Sequence, residues 1–76
     1  MKYYIYDPHG YYGKFVYSKN GWTVDTVGAK PYNSYEEAKE YFDGADWGEM
    51  ETENGMQEMK YHYIILDENE IIPYLL

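Results

Sequence analysis

Alternation of apolar and polar positions organises the first third of the chain. Met1 to Tyr6 (Met-Lys-Tyr-Tyr-Ile-Tyr) and Tyr11 to Tyr17 (Tyr-Tyr-Gly-Lys-Phe-Val-Tyr) are aromatic and β-branched runs separated by Asp7-Pro8-His9-Gly10, where Pro and Gly occupy favoured turn positions. They predict a hairpin. Ser18-Lys19-Asn20-Gly21 supplies an Asn-Gly pair that tolerates positive φ, and Trp22 to Val27 resumes the period of two, which predicts a third antiparallel strand. Gly28-Ala29-Lys30-Pro31 ends this meander, because Pro31 has no N–H for a strand ladder and biases Lys30 away from helix.

The period then changes. Ser34-Tyr35-Glu36-Glu37 has capping-box spacing, in which the Ser34 hydroxyl accepts from the Glu37 amide and the Glu37 carboxylate reaches back to the Ser34 amide. A helix of about two turns is expected from Tyr35, too short to persist without packing. Tyr35, Ala38, Tyr41 and Phe42 form its apolar stripe, and Glu36, Glu37, Lys39, Glu40 and Asp43 face water. Gly44 suits a left-handed cap after Asp43. From Ala45 to Met59 two readings stay open. Asn54-Gly55 can close a second hairpin, with Trp47, Glu49, Glu51 and Glu53 on one face, or the segment is a long acidic loop; the turn pair favours the hairpin. Tyr61 to Leu66 predicts a buried strand, Asp67 to Glu70 a turn, and Ile71 to Leu76 a final strand that Pro73 confines to a sheet edge. The expectation is a single α+β domain over residues 1–76, an antiparallel sheet of about five strands in β-β-β-α-β-β order, with one short helix packed on one face.

Charge is unevenly distributed over this plan. Of fourteen carboxylates, nine fall between Asn33 and Glu58 against a single base, Lys39. The net charge is −8, whereas residues 1–32 alone carry +2. Such a balance repels phosphate backbones and anionic lipid at long range, so basic proteins are the natural partners. Solubility alone is the competing explanation of the acid. A chain of 76 residues hides only about 60–65% of the surface it exposes unfolded, and with no cysteine it has neither disulfides nor thiolate metal sites. Aromatic packing must hold it. The absence of cysteine fits a reducing cytoplasm, and no apolar run approaches a membrane span.

Twelve tyrosines and two tryptophans are available for that packing. Period two sets Tyr4 and Tyr6 opposite Tyr3 and Ile5, and Tyr12, Lys14 and Val16 opposite Tyr11, Phe15 and Tyr17, so both sheet faces carry aromatics. One short helix cannot cover both. The open face is then a candidate dimer or partner surface, since Tyr and Trp bury large area at low entropic cost; tyrosines packing a wet-sided sheet is the plainer account. Base stacking aided by Lys2 and Lys14 is opposed by the net charge.

Reactive chemistry is sparse. There is no Cys, and Ser18 and Ser34 are accounted for by a turn and a helix cap, so no nucleophilic triad can be drawn. His9 in a turn and His62 in a strand read as structural or solvated residues. Asp67-x-Asn69 begins like a calcium loop, but Ile72 stands where Gly is required and no bidentate Glu follows. Glu49, Glu51 and Glu53 lack apolar surroundings that would raise a carboxylate pKa for acid-base work. The glycines are scattered singly, without a phosphate-binding loop. A non-enzymatic protein with no cofactor and no metal is expected.

The order of a Tyr-rich strand, Gly21-Trp22, Ala29-Lys30-Pro31-Tyr32 and Ser34-x-Glu36-Glu37-Ala38, spanning about half the chain, resembles in layout the small acidic proteins that bacteriophages and mobile elements encode to inhibit host defences, anti-CRISPR proteins and restriction inhibitors among them. The resemblance implies an inhibitor working in the cytoplasm of a bacterial host by presenting carboxylates where DNA phosphates would lie; it carries over no functional residue. The near-neutral first half points to a one-sided acidic patch rather than a molecule-wide DNA mimic. On this reading Glu36, Glu37, Glu40, Asp43, Asp46, Glu49, Glu51, Glu53 and Glu58 occupy a basic nucleic-acid channel of a host enzyme, and exposed aromatics such as Trp47 anchor the contact. Two alternatives belong to other classes. One is a homo-oligomeric sponge or sensor holding a nucleotide between tyrosines, with Lys2, Lys14, Lys19 and Lys30 as its bases. The other is a structural module that pairs through the edge strand Ile71 to Leu76.

Overall fold

The structure, a computed structural model, describes residues 1–8, 16–18, 21–23 and 26–75. Six short strands and two helices follow one another as β1 (Tyr3–Tyr6), β2 (Val16–Ser18), β3 (Gly21–Thr23), α1 (Tyr35–Gly44), β4 (Glu49–Thr52), β5 (Gly55–Glu58), β6 (Ile64–Asp67) and α2 (Ile72–Leu75), with a 3-10 turn over Met59–His62 before β6. The α+β class and the opening meander hold. The single five-stranded sheet does not: β3-β2-β1-β6 form one antiparallel sheet and β4-β5 a separate hairpin. Residues 11–15, expected to lead into β2, and the turn residues His9 and Gly10 lie outside the described residues.

β1 is the axis of the main sheet. Along one edge it pairs residue for residue with β6, Tyr3 opposite Asp67 through Tyr6 opposite Ile64. Along the other, among the described residues, β2 meets it at Tyr6–Val16, and Lys30–Tyr32 bonds to both strands. Tyr3 and Tyr32 exchange both backbone hydrogen bonds at 2.9 Å, while the Lys30 amide donates to the Tyr17 carbonyl at 2.9 Å. A segment expected only to end the meander is therefore part of the sheet.

The two hairpins share a turn chemistry. In Ser18-Lys19-Asn20-Gly21 and Thr52-Glu53-Asn54-Gly55 the first residue pairs with the glycine across the turn, and its hydroxyl donates to the glycine carbonyl, at 2.9 and 2.7 Å. Gly55, with φ +104°, follows the two-residue turn where a bulge of positive φ is needed, and Gly21 at +130° matches it. The hairpin reading of residues 45–59 is thus the observed one, although its strand starts at Glu49 and excludes Trp47.

Helix α1 begins where expected, the Glu37 amide donating to Ser34 Oγ at 3.1 Å. The return arm differs: the Glu37 carboxylate accepts from the Asn33 amide at 2.8 Å instead of from Ser34. Gly44 is also not a left-handed cap. It remains helical, and Ala45 ends the helix in extended backbone, its amide donating to the Tyr41 carbonyl.

The C-terminal segment departs furthest from expectation. Asp67 Oδ1 accepts from the Asn69 and Glu70 amides at 2.8 and 2.7 Å, and the Glu70 carboxylate accepts from the Asp67 amide at 3.0 Å. This reciprocal pair starts a helical turn, so the described part of the expected edge strand Ile71–Leu76 is helical from Ile72 to Leu75, and Pro73 sits in the first turn of α2, where its missing N–H costs nothing. Tyr61 to Leu66 likewise divides into the 3-10 turn, which takes in His62, and the shorter strand β6.

Strand β1 is consequently covered on both faces. Ile5 gathers Tyr32, Ala38 and Phe42 beneath α1; Tyr4 and Tyr6 gather Ile71 on the other face. The Tyr6 and Tyr74 rings lie 4.9 Å apart, and Tyr4 and Tyr6 are buried. Where Tyr4 and Tyr6 were expected to leave an open face, the C-terminal turn packs Ile71 against them, and Ile72–Leu75 is helical; Tyr11 and Tyr12 lie outside the described residues. Replacing Ile71, 1% exposed, by alanine is expected to cost about 2–5 kcal/mol. Ile72→Ala, at a position 51% exposed, should stay within about 0.5 kcal/mol. Chemical denaturation of the two variants checks that Ile71, and not its neighbour, is the buried residue of this turn.

Candidate functional site

An aromatic cluster joins α1 to the sheet, and its centre is Trp47. The indole N–H donates to the Phe42 carbonyl at 2.8 Å, satisfying one of the acceptors that a helix end leaves unpaired. Its ring meets Tyr17 edge-on at 5.0 Å and Tyr63 at 5.4 Å, and lies 5.6 Å from Phe42. Trp47 is half-buried in this cluster, so it is not the exposed anchor expected of it. Direction changes immediately afterwards. Gly48 adopts φ +80°, with its amide donating to Asp46 Oδ1 at 2.9 Å and its carbonyl accepting from Met59 at 2.9 Å. That kink sends the β4-β5 hairpin away from the cluster.

Beside Trp47 lies an open groove of about 870 Å³. Tyr17, Tyr32, Tyr41, Trp47 and Tyr63 supply aromatic surface; Glu37, Glu40 and Asp46 bring carboxylates, and Lys30 the one base among the lining residues. The Tyr17 and Tyr41 hydroxyls are hydrogen-bonded at 2.6 Å, and the Lys30 ammonium sits 5.6 Å from the centre of the Tyr32 ring. Tyr32 is 3% exposed, and its hydroxyl has no hydrogen-bond partner among the described residues. The Tyr41 hydrogen bond, then burial, pushes Tyr17 up to about 12. Burial, reinforced by Tyr41, Tyr17 and Glu37, raises Tyr32 well above the ordinary tyrosine range.

The acidic residues singled out from sequence are all exposed, but they are not equivalent. Asp43 pairs with Lys39 at 3.0 Å, and Glu58 lies 3.7 Å from Lys60. Glu37 and Asp46 serve local backbone as described. Glu36, Glu40, Glu49, Glu51 and Glu53 carry no hydrogen bond or ion pair among the described residues. They belong to two elements, and Asp43, Asp46, Glu49 and Glu58 meet along a second, smaller groove that Lys60 also lines. Glu36, Glu37, Glu40 and Asp43 lie on α1, with Asp46 just beyond it, whereas Glu49, Glu51, Glu53 and Glu58 belong to the hairpin. Cross-strand register sets Glu49 opposite Glu58 and Glu51 opposite Met56, so Glu49, Glu51 and Glu58 share one hairpin face.

Sequence reasoning missed the groove, because Tyr17, Tyr32, Tyr41, Trp47 and Tyr63 come from five separate stretches and no periodicity joins them. Of the bases proposed for a nucleotide site, Lys2 is held by Asn33 Oδ1 at 2.6 Å, Lys30 lines the groove, and Lys14 and Lys19 lie outside the described residues. Among the described residues no group of three or more His, Asp or Glu is arranged to hold a metal ion, and no helix is long and apolar enough to cross a membrane. No protein-family model, curated protein sequence or solved structure matches the chain.

Two outcomes follow from this geometry. A Cβ at Gly48 would meet nothing within 4 Å, so Gly48→Ala should cost only the left-handed backbone strain, about 1–2 kcal/mol, measurable by denaturant unfolding. Tyrosines with pKa raised by folding contribute stability that is complete below about pH 10 and lost as pH rises through their folded values. Stability should thus stay level to about pH 10 and fall beyond it. In Tyr17→Phe and Tyr32→Phe that alkaline loss should be shallower, with phenolate absorbance followed alongside unfolding.

Proposed function

We propose that this protein is a non-enzymatic inhibitor that binds a host nucleic-acid-processing enzyme, setting its carboxylates into a basic channel that would otherwise hold phosphates. The hairpin carries this reading. Along β4 and β5 every residue except the half-buried Thr52 is exposed, and the face bearing Glu49, Glu51 and Glu58 includes a directly opposed like-charge pair. Like charges in that relation destabilise a two-stranded ribbon. A cationic partner surface would relieve the repulsion, and Met56, 62% exposed beside Glu51, adds apolar contact at the same face.

Helix α1 extends the negative surface through Glu36 and Glu40, which local structure does not use. The layout shared with phage-encoded defence inhibitors is in keeping with this, and supplies the enzymes to test first: CRISPR effector nucleases and restriction endonucleases. Long-range attraction of this sort governs encounter and partner choice, and weakens as salt screens it.

Displacement of labelled DNA from such enzymes, at low and at high salt, tests the proposal. The wild-type protein should displace DNA from one of them, and more weakly at high salt. Glu49→Gln/Glu51→Gln/Glu58→Gln should lose displacement by about tenfold or more, while its thermal stability holds or rises by a few tenths of a kcal/mol from relief of the like-charge pair. Displacement unchanged in that variant would reduce the acid to a solubility device.

A further inference from the structure

We propose that the groove beside Trp47 is a socket for an arginine side chain presented by the partner protein. The inference rests on the basic partner proposed above, but uses different residues from the hairpin. Three carboxylates against one ammonium line the groove, which disfavours a phosphate-bearing ligand and suits a cation. A cation already rests against one of its rings, Lys30 over Tyr32. Tyr41, 39% exposed, and Trp47 offer further aromatic surface, to which guanidinium binds more readily than ammonium because it is planar and weakly hydrated.

Hydrogen bonding points the same way. Glu40 has no partner among the described residues, and the buried Tyr32 hydroxyl has none either. Glu40 is the exposed acceptor of the two. Guanidinium carries five N–H donors and no acceptor, so it can pair with the Glu40 carboxylate while stacking on an aromatic face. Lysine offers a point charge without the plane, and a neutral ligand lacks the charge attraction of the carboxylates.

The probe is a capped Gly-Ser peptide carrying one arginine, titrated into the full chain in a Trp22→Phe background so that Trp47 is the only indole reporter. Matched peptides carry lysine or the neutral isostere citrulline. Arginine peptide should change Trp47 emission saturably, with citrulline at least tenfold weaker and lysine several-fold weaker. Glu40→Gln, an exposed change, should weaken arginine binding at least threefold, and Tyr41→Ala at least tenfold, with circular dichroism confirming the fold. Equal responses to arginine and citrulline, or undiminished binding in folded Glu40→Gln, would overturn the socket. The triple hairpin variant should bind the peptide as wild type does, so failure of the inhibitor proposal and failure of the socket are distinguishable.

Discussion

Trp47 is the constraint on which the rest of the molecule depends. Its indole closes the helix end at Phe42, and its ring is the common neighbour of Tyr17 from the meander, Phe42 from α1 and Tyr63 from the approach to β6. A ten-residue helix has little stability of its own. Here it is held at its C-terminal end by a donor and by ring packing, and at its N-terminal end by the Ser34 cap and the edge-on contact of Tyr35 with Tyr3 at 6.1 Å. Because Trp47 points inward and Gly48 turns sharply, one dipeptide both completes the core and launches the acidic hairpin outward.

A sheet this small would ordinarily leave one face wet. The chain closes it with four residues of helix and one well-placed isoleucine, so β1 is packed from both sides: Ile5 against α1, Tyr4 and Tyr6 against Ile71. The tyrosines serve that thin architecture because each buries a large ring near the surface while its hydroxyl reaches a partner or solvent. Tyr17 and Tyr41 find each other; Tyr32 is the exception, and its lone hydroxyl marks the groove as the place where internal satisfaction stops.

Acid is distributed by the same economy. Carboxylates next to helix and turn backbone are engaged there, as Glu37, Asp46 and Asp67 are, and hydrogen bonds from the Glu70 and Asn69 amides hold Asp67 below the usual carboxylate range. Those of the hairpin are not engaged, apart from the long Glu58–Lys60 approach. The hairpin is exposed on nearly every residue and bears a like-charge pair, a combination that costs intramolecular stability.

Local signals in the sequence determined the local structure: the Ser34 cap, the helical stripe through Ala38 and Phe42, both Asn-Gly turns, and the concentration of nine of the fourteen acids in residues 33–58. Each depends on residues within a few positions of one another, where backbone sterics and hydrogen bonding act without help. Wherever the outcome hung on distant partners, reading along the chain fell short. Ile71–Leu76 has strand-like composition, but the Asp67–Glu70 turn and the ring faces of Tyr4 and Tyr6 that Ile71 covers set Ile72–Leu75 as a helical turn. Trp47 alternates with the glutamates and still leaves them, because the free Phe42 carbonyl and four aromatic rings lie on the other side of Gly48. The groove is wholly a product of tertiary structure: it exists only where β2, the Lys30–Tyr32 insertion, α1 and the start of β6 converge, since long-range burial and not local preference brings those rings together.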